Sequence, residues 1–168
     1  MFLLASYGAD GINLETDLNQ LGWISHYSPI VHDAAGQGSA RPEYYGMLAF
    51  AMAGKGTLLH LNMDKTEFNL SAYATGSEDG SVWLTVINKD LARDTLVQVA
   101  LPKGYANAAA FRLSAPSIES NAQVTLAGSQ VSANGQWRAG LPEKAAVTEG
   151  AARVLVPHAS AVLLHLSK

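Results

Sequence analysis

The stretch SEDGSVWLTVINKD, Ser77–Asp90, decides the fold. Its Asp-Gly pair is among the strongest short hairpin signals. The run behind it alternates, with Val82, Leu84 and Val86 on one side of an extended chain and Trp83, Thr85 and Ile87 on the other. Working outward, comparable runs recur about every 10 to 12 residues between turn formers, which is the spacing of an all-β sandwich. Upstream lie TLLHLNM (57–63) and LSAYAT (70–75); downstream lie TLVQVAL (95–101), NAAAFRLS (107–114), VTLAG (124–128), ARVLVP (152–157) and SAVLLHLS (160–167). A second hairpin signal, Asn134-Gly135, sits in ANGQW. In TLVQVAL the inner face is expected to be Val97, Val99 and Leu101. The pattern predicts a mainly β fold, an antiparallel sandwich of about eight strands, held by burial of alternating faces at about 25 cal/mol per Å² of apolar surface.

Before residue 57 the texture differs. RPEYYGMLAFAMAGKG carries helix start and stop signals in order: Pro42 at the first helical position, Glu43 at the positive end of the dipole, Gly54 beyond the last turn with Lys55 beside it. Tyr44, Met47, Leu48, Ala51 and Met52 follow helical spacing, while Tyr45, Ala49 and Phe50 make the other side apolar as well. Such a helix expects cover on more than one side. Gly11–Glu15 is a short strand candidate with Ile12 and Leu14 alternating, followed by a loop from Asp17 to Arg41. The apolar run Phe2–Ala5 is too short for a membrane span or a signal-peptide core, and no signal peptide is readable. A core-like run so near the first residue reads as a chain that begins mid-domain. The expected division is residues 1–56 as a strand-loop-helix segment and 57–168 as the sandwich, with Gly54–Gly56 the hinge.

Composition narrows the function classes. The chain has 168 residues, 48% of them hydrophobic, enough for a packed core. Eleven basic and 14 acidic residues give a net charge of −3 without a charged run, which argues against nucleic acid and anionic membrane surfaces as partners. The absence of cysteine excludes disulfides, thiolate zinc sites and a cysteine nucleophile. No G-x-S-x-G elbow, G-x-G-x-x-G fingerprint or P-loop occurs, and no cofactor is implied.

The order of elements supports a resemblance. A GINLE strand (11–15), Tyr27-Ser28-Pro29-Ile30, Arg41-Pro42-Glu43-Tyr44-Tyr45-Gly46, NKD (88–90) after a VWLTVIN strand, and LAGSQVSANGQW (Leu126–Trp137) together resemble the C-terminal end of glycoside hydrolase family 79. That family contains β-glucuronidases and heparanase-like enzymes, often secreted. The resemblance implies a (β/α)8 barrel in the full enzyme, with residues 1–54 as its last unit and the β domain following. It also implies that the two catalytic glutamates lie on earlier barrel strands outside this chain. Retaining hydrolysis needs two carboxyls about 5–5.5 Å apart, so the chain alone is expected to be non-catalytic.

At the C-terminal end of a barrel strand, Glu15 would face the active-site mouth and contact substrate in an intact enzyme, and Asp17 shares its strand face. Solvated loop charges are the alternative for both. Trp23, Tyr27, Tyr44 and Tyr45 could stack on sugar rings, against burial in the core. Glu15, Asp17, Trp23, His26, Tyr27 and Trp83 form the candidate glycan-contact set, for a uronic-acid-containing ligand. His26 and His32 stand six apart with no third ligand, a poor metal spacing. His60 and His165 alternate with leucines and read as outward-facing or satisfied core histidines. Asn69-Leu70-Ser71 matches the three-residue glycosylation pattern.

Three functions compete: an accessory domain packed on a catalytic barrel, a free-standing carbohydrate-binding sandwich, and an active glycosidase. The second needs exposed aromatics on one sheet face, with Trp83, Tyr73 and Trp137 as candidates. The helix is expected either to dock on the sandwich, leaving a monomer, or to expose a patch that drives weak self-association.

Overall fold

The computed structural model describes residues 1–14, 27–33 and 35–168. Two helices precede the sheets: α1, Phe2–Ser6, and α2, Pro42–Ala53. Between them lies a small hairpin, β1 Ile30–His32 with β2 Gly38–Ala40. The remaining strands are β3 Thr57–Leu59, β4 Leu70–Gly76, β5 Val82–Asn88, β6 Thr95–Ala100, β7 Asn107–Ser114, β8 Thr125–Leu126, β9 Glu143–Lys144, β10 Ala146–Thr148, β11 Ala151–Val156 and β12 Ser160–Ser167.

These strands form an antiparallel sandwich. The large sheet runs β3-β4-β5-β12-β7-β8, with β9 also paired to β7; the small sheet runs β10-β11-β6. Register assigns every side chain to a face. Thr85 lies opposite Tyr73 on one neighbour and Leu163 on the other, while Leu84 lies opposite Ala74 and Leu164. The Leu84 face carries Ala74, Val86, Ala108, Ala110, Val162, Leu164 and Leu166 into a core shared with Ala152, Val154 and Val156 of β11. Val97, Val99 and Leu101 pack against that core, so the expected inner face of β6 is the observed one.

The other face of the large sheet is also covered. Phe2, Tyr45, Ala49, Ala53, Val124, Leu126 and Leu163 form a second core, with Tyr73, Trp83, Phe111 and Trp137 packed against it. α2 turns Tyr45, Ala49 and Ala53, spaced four apart, onto the sheet. Phe2 of α1 stacks on Tyr73 at 5.3 Å and meets Phe50 of α2 edge-on at 4.7 Å. The apolar helix therefore docks on the sandwich, one of its two expected outcomes, and the large sheet is the middle of three layers.

Several expected boundaries shift. The strand expected over 57–63 ends at Leu59; Leu61 still turns into the sandwich core, and the polar residues beyond it leave the ladder. Only Thr125–Leu126 of 124–128 is a strand, because Ala127 takes a positive φ of 52° that breaks extended geometry. The described part of the strand expected over 11–15, residues 11–14, has no strand pairing. The run Phe2–Ala5 is helical, as Leu and Ala favour. The loop expected over 17–41 contains the β1–β2 hairpin, closed by Asp33, whose Oδ1 accepts the amides of Ala35 and Gln37. At the junction with the sheets, Gly56 has φ +112° and a Cβ there would lie 2.1 Å from the Gly76 carbonyl oxygen, so only glycine fits.

Candidate functional site: the helix-covered face of the large sheet

Three of the strings that carry the family resemblance come from separate parts of the chain, and the fold brings them together. The backbone amide of Arg41 donates to the Pro29 carbonyl at 2.9 Å, and its guanidinium reaches the Ser28 carbonyl at 3.5 Å. Ser28 is buried and its hydroxyl donates to the Ile30 carbonyl at 2.6 Å. One turn along α2, buried Tyr45 accepts at its phenolic oxygen the amide of Val131 at 2.9 Å. Leu126, Val131 and Trp137 pack in the same cluster. YSPI, RPEYYG and LAGSQVSANGQW thus form one node that fixes α2 on the sandwich.

Beside this node the described residues leave a cavity of about 660 Å³ between α1, α2 and the sheet. Its walls are Phe2, Leu3, Leu4, Ile12 and Leu14 on one side, Met47 and Phe50 of α2 on another, and Tyr73, Thr85, Ile87 and Leu163 on the sheet floor. Glu43, Ser71 and Lys89 supply its polar lining. Native interiors hold few voids larger than a water molecule, so the described residues only partly fill this face. Leu3, Leu4 and Ile12 remain exposed along it. The hydroxyl of Thr85 is buried there without a hydrogen-bond partner among the described residues.

The candidate glycan-contact residues divide sharply. Glu15, Asp17, Trp23 and His26 lie outside the described residues. Tyr27 is 71% exposed, at the start of the segment leading into β1. Trp83 is half-buried, its ring 4.6 Å from that of His165 and 5.5 Å from that of Phe111. Tyr73, Trp83 and Trp137 all pack against the helix-side core. His60 is exposed and shares a hydrogen bond with Asn62 at 3.0 Å. Among the described residues no group of three or more His, Asp or Glu could hold a metal ion, and no helix is long and apolar enough to cross a membrane.

The ion pairs and charge-assisted bonds lie in the loops and strands around the two sheets. Buried Asn88 donates from Nδ2 to the carbonyls of Arg93 and Val156 at 2.9 and 3.1 Å and accepts the amide of Asp90 at 3.0 Å. This is the work of the NKD string. The Arg93 guanidinium bonds Asp90 at 2.6 Å and holds its carboxyl below the usual range. Asp94 is lowered by the amide and then the ring of His158, both bonded to its Oδ1. Arg112 crosses the sandwich, donating to Glu143 at 2.8 Å and to the Leu155 carbonyl at 2.7 Å, and lowers the Glu143 carboxyl. The Ser81 hydroxyl does the same for Asp79. Among the described residues each carboxyl with a resolved shift moves down, the reverse of what a general acid needs.

Reading the sequence missed Leu3 and Leu4 as parts of a wall, because their run is short and its partners lie far along the chain. The cavity has no local signature. A hint of it is α2 itself, apolar on nearly every side.

Comparison with known proteins agrees with this architecture. The profile of the glycosyl hydrolase family 79 C-terminal beta domain matches residues 53–163. No curated protein sequence matches the chain. Among solved structures, it is similar to the 4-O-α-L-rhamnosyl-β-D-glucuronidase of Fusarium oxysporum 12S, with 22% identity and a TM-score of 0.61 over 77% of this chain and 30% of that one. It is also similar to the family 51 α-L-arabinofuranosidase of Thermotoga petrophila RKU-1, with 14% identity and a TM-score of 0.63 over 84% of this chain and 32% of that one. The family 51 arabinofuranosidase of Xanthomonas axonopodis pv. citri gives 19% identity and a TM-score of 0.58 over 84% and 29%. At these identities the likeness is one of fold, and the chain spans about a third of the length of the structures it resembles.

Proposed function

We propose, for a chain that belongs to the glycosyl hydrolase family 79 C-terminal beta domain family, a non-catalytic accessory role: packing on a catalytic barrel and shaping one side of its glycan cleft. In this reading residues 1–56 are the last unit of the barrel wall and residues 57–168 are the β domain. The observation that carries it is the partly filled, apolar helix-side face, with its cavity of about 660 Å³ and exposed Leu3, Leu4 and Ile12. The described residues seat two helices on the sheet and leave this much apolar wall open, a shape suited to further cover. That the similar glycosidases are about three times as long supports the same reading.

Glycan contact, where the domain makes it, is assigned to the segment holding Glu15, Asp17, Trp23, His26 and Tyr27, with a uronic-acid-containing chain as ligand. Trp83 is assigned to packing, since its ring is already held between His165 and Phe111. The same packing of Tyr73 and Trp137 disfavours a free-standing aromatic platform.

The experiment is a methyl-detected titration of the chain with a family 79 barrel deprived of its own last barrel unit and β domain. The methyls of Leu3, Leu4 and Ile12 are expected to become protected from a soluble paramagnetic agent; unchanged methyls refute the packing role. A parallel assay expects no turnover of an aryl β-glucuronide by the chain alone, and measurable turnover refutes the non-catalytic reading.

A further inference from the structure

Among the described residues the sandwich has five outer strands, and four are very short: β8 and β9 have two residues each, β3 and β10 three each. Short edges are a common protection against strand pairing between molecules. β6 is different. It runs six residues, pairs only with β11, from Thr95 opposite Val156 to Ala100 opposite Ala151, and receives no backbone hydrogen bond from the far side among the described residues. Its neighbourhood confirms an open edge. Val97 and Val99 face the core yet stay half-exposed, whereas Val154 and Val156 on the adjacent strand are buried. On the outer face Leu96 is 65% exposed beside its cross-strand partner Leu155, 47% exposed.

The sequence of this edge contains none of the usual blocks. Thr95-Leu96-Val97-Gln98-Val99-Ala100-Leu101 holds no charge, proline or glycine. It is also self-complementary. An antiparallel two-fold through Gln98 opposes Leu96 with Ala100 of the second copy and Val97 with Val99 of the second copy. This parity keeps both valines on the inner side and Leu96 on the outer side of the combined sheet. In this register Asp94 lies opposite Pro102 and Lys103 opposite Arg93, whose guanidinium is already held by Asp90.

We propose that β6 is a self-pairing edge, through which two copies of this chain join their small sheets into one continuous antiparallel sheet. The partner is a second copy because the same segment supplies both the alternating pattern and its complement. The interface is independent of the helix-side face, which lies across the large sheet from β6.

The test is sedimentation velocity of the full chain from low to high micromolar concentration, with amide hydrogen exchange of β6 at both ends of the range. The expected result is a concentration-dependent dimer and slower exchange of the β6 amides in it. Val97→Lys, an inward charge at an edge, is expected to abolish the dimer. Gln98→Glu is nearly isosteric, keeps the acceptor that Arg153 contacts at 3.2 Å, and sets two carboxylates face to face at the axis. It is expected to weaken the dimer several-fold at neutral pH, and circular dichroism of this variant reports a folded monomer even where Val97→Lys does not fold. A monomer at every concentration overturns the proposal. So does a dimer that both variants leave intact, or one that Leu3→Lys on the helix-side face dissolves instead.

Discussion

Leu163 and Leu164 are neighbours on β12, each fully buried, and they point to opposite layers: Leu164 into the sandwich and Leu163 under the helices. Truncating each to alanine separates the two halves of the structure. A buried Leu→Ala change costs about 2–5 kcal/mol, the spread reflecting the cavity left behind. Leu164→Ala empties space between two sheets and belongs in the upper half, about 3–5 kcal/mol. Leu163 already borders the open cavity, so Leu163→Ala loses mainly the transfer contribution, about 2–3 kcal/mol. Were residues 1–56 not seated on the sheet, Leu163 would keep only the partial cover of Val124, Leu126 and their neighbours, and its truncation would cost about 1 kcal/mol or less. Urea unfolding reads the difference: with a slope of about 2 kcal/mol per M, the Leu163→Ala midpoint should fall by about 1 M or more. A midpoint unchanged for Leu163→Ala while Leu164→Ala falls sharply would refute the docking of the helical layer and the node that holds it.

The packing assigned to Trp83 predicts that Trp83→Ala lowers stability by about 2 kcal/mol, below the cost for a fully buried tryptophan, and leaves any glucuronic acid binding seen by chemical-shift titration unchanged. Loss of binding with stability intact would make it a platform. Asn88→Ala removes two donated bonds and one accepted bond at a side chain only 1% exposed and leaves the Val156 carbonyl without its donor. It should cost about 2–4 kcal/mol in urea unfolding, with Asn88→Asp failing to restore it because the carboxylate cannot donate. Asp94 has its carboxyl lowered in the folded chain by His158, so the pair contributes stability above the unfolded carboxylate range, near pH 4, that disappears as pH falls through the lowered folded value. Midpoints of Asp94→Asn and the parent should therefore differ at pH 7 and converge in acid; a constant offset would remove Asp94 from the pH dependence.

The sandwich was legible because its strands are long and alternate. Leu70–Gly76, Val82–Asn88, Asn107–Ser114 and Ser160–Ser167 lie within a residue of where alternation and turn chemistry put them. The Asp79-Gly80 turn closes as its residues demand, with Gly80 at φ +78° and Asp79 capping the amide of Ser81. What alternation cannot show is a strand too short to alternate. Ile30–His32, Gly38–Ala40, Glu143–Lys144 and Ala146–Thr148 have two or three residues each and are held by pairing with longer neighbours or with each other. The candidate site was less legible for a related reason. The cavity walls come from residues 2 to 163, and only the sheet, by pairing Tyr73, Thr85 and Leu163 in one row, makes them neighbours.

β12 nonetheless announced the third layer. A strand with one wet face alternates, whereas AVLLHL is nearly continuous, the pattern of a strand covered on both sides. α2 shows the same demand from the other partner: it gives Tyr45, Ala49 and Ala53 to the sheet and still presents Met47 and Phe50 to the cavity. Both elements are more apolar than their mutual contact consumes, and the excess converges on one place, the wall containing Leu3, Leu4 and Ile12. The exposed apolar character of β6 has a different origin, an unpaired edge with Leu96 and Leu155 beside it, on the far side of the small core. Association through the first surface should be abolished by Leu3→Lys and untouched by Val97→Lys, and association through the second should show the reverse. The two variants measured together therefore assign any oligomer to the layer that built it.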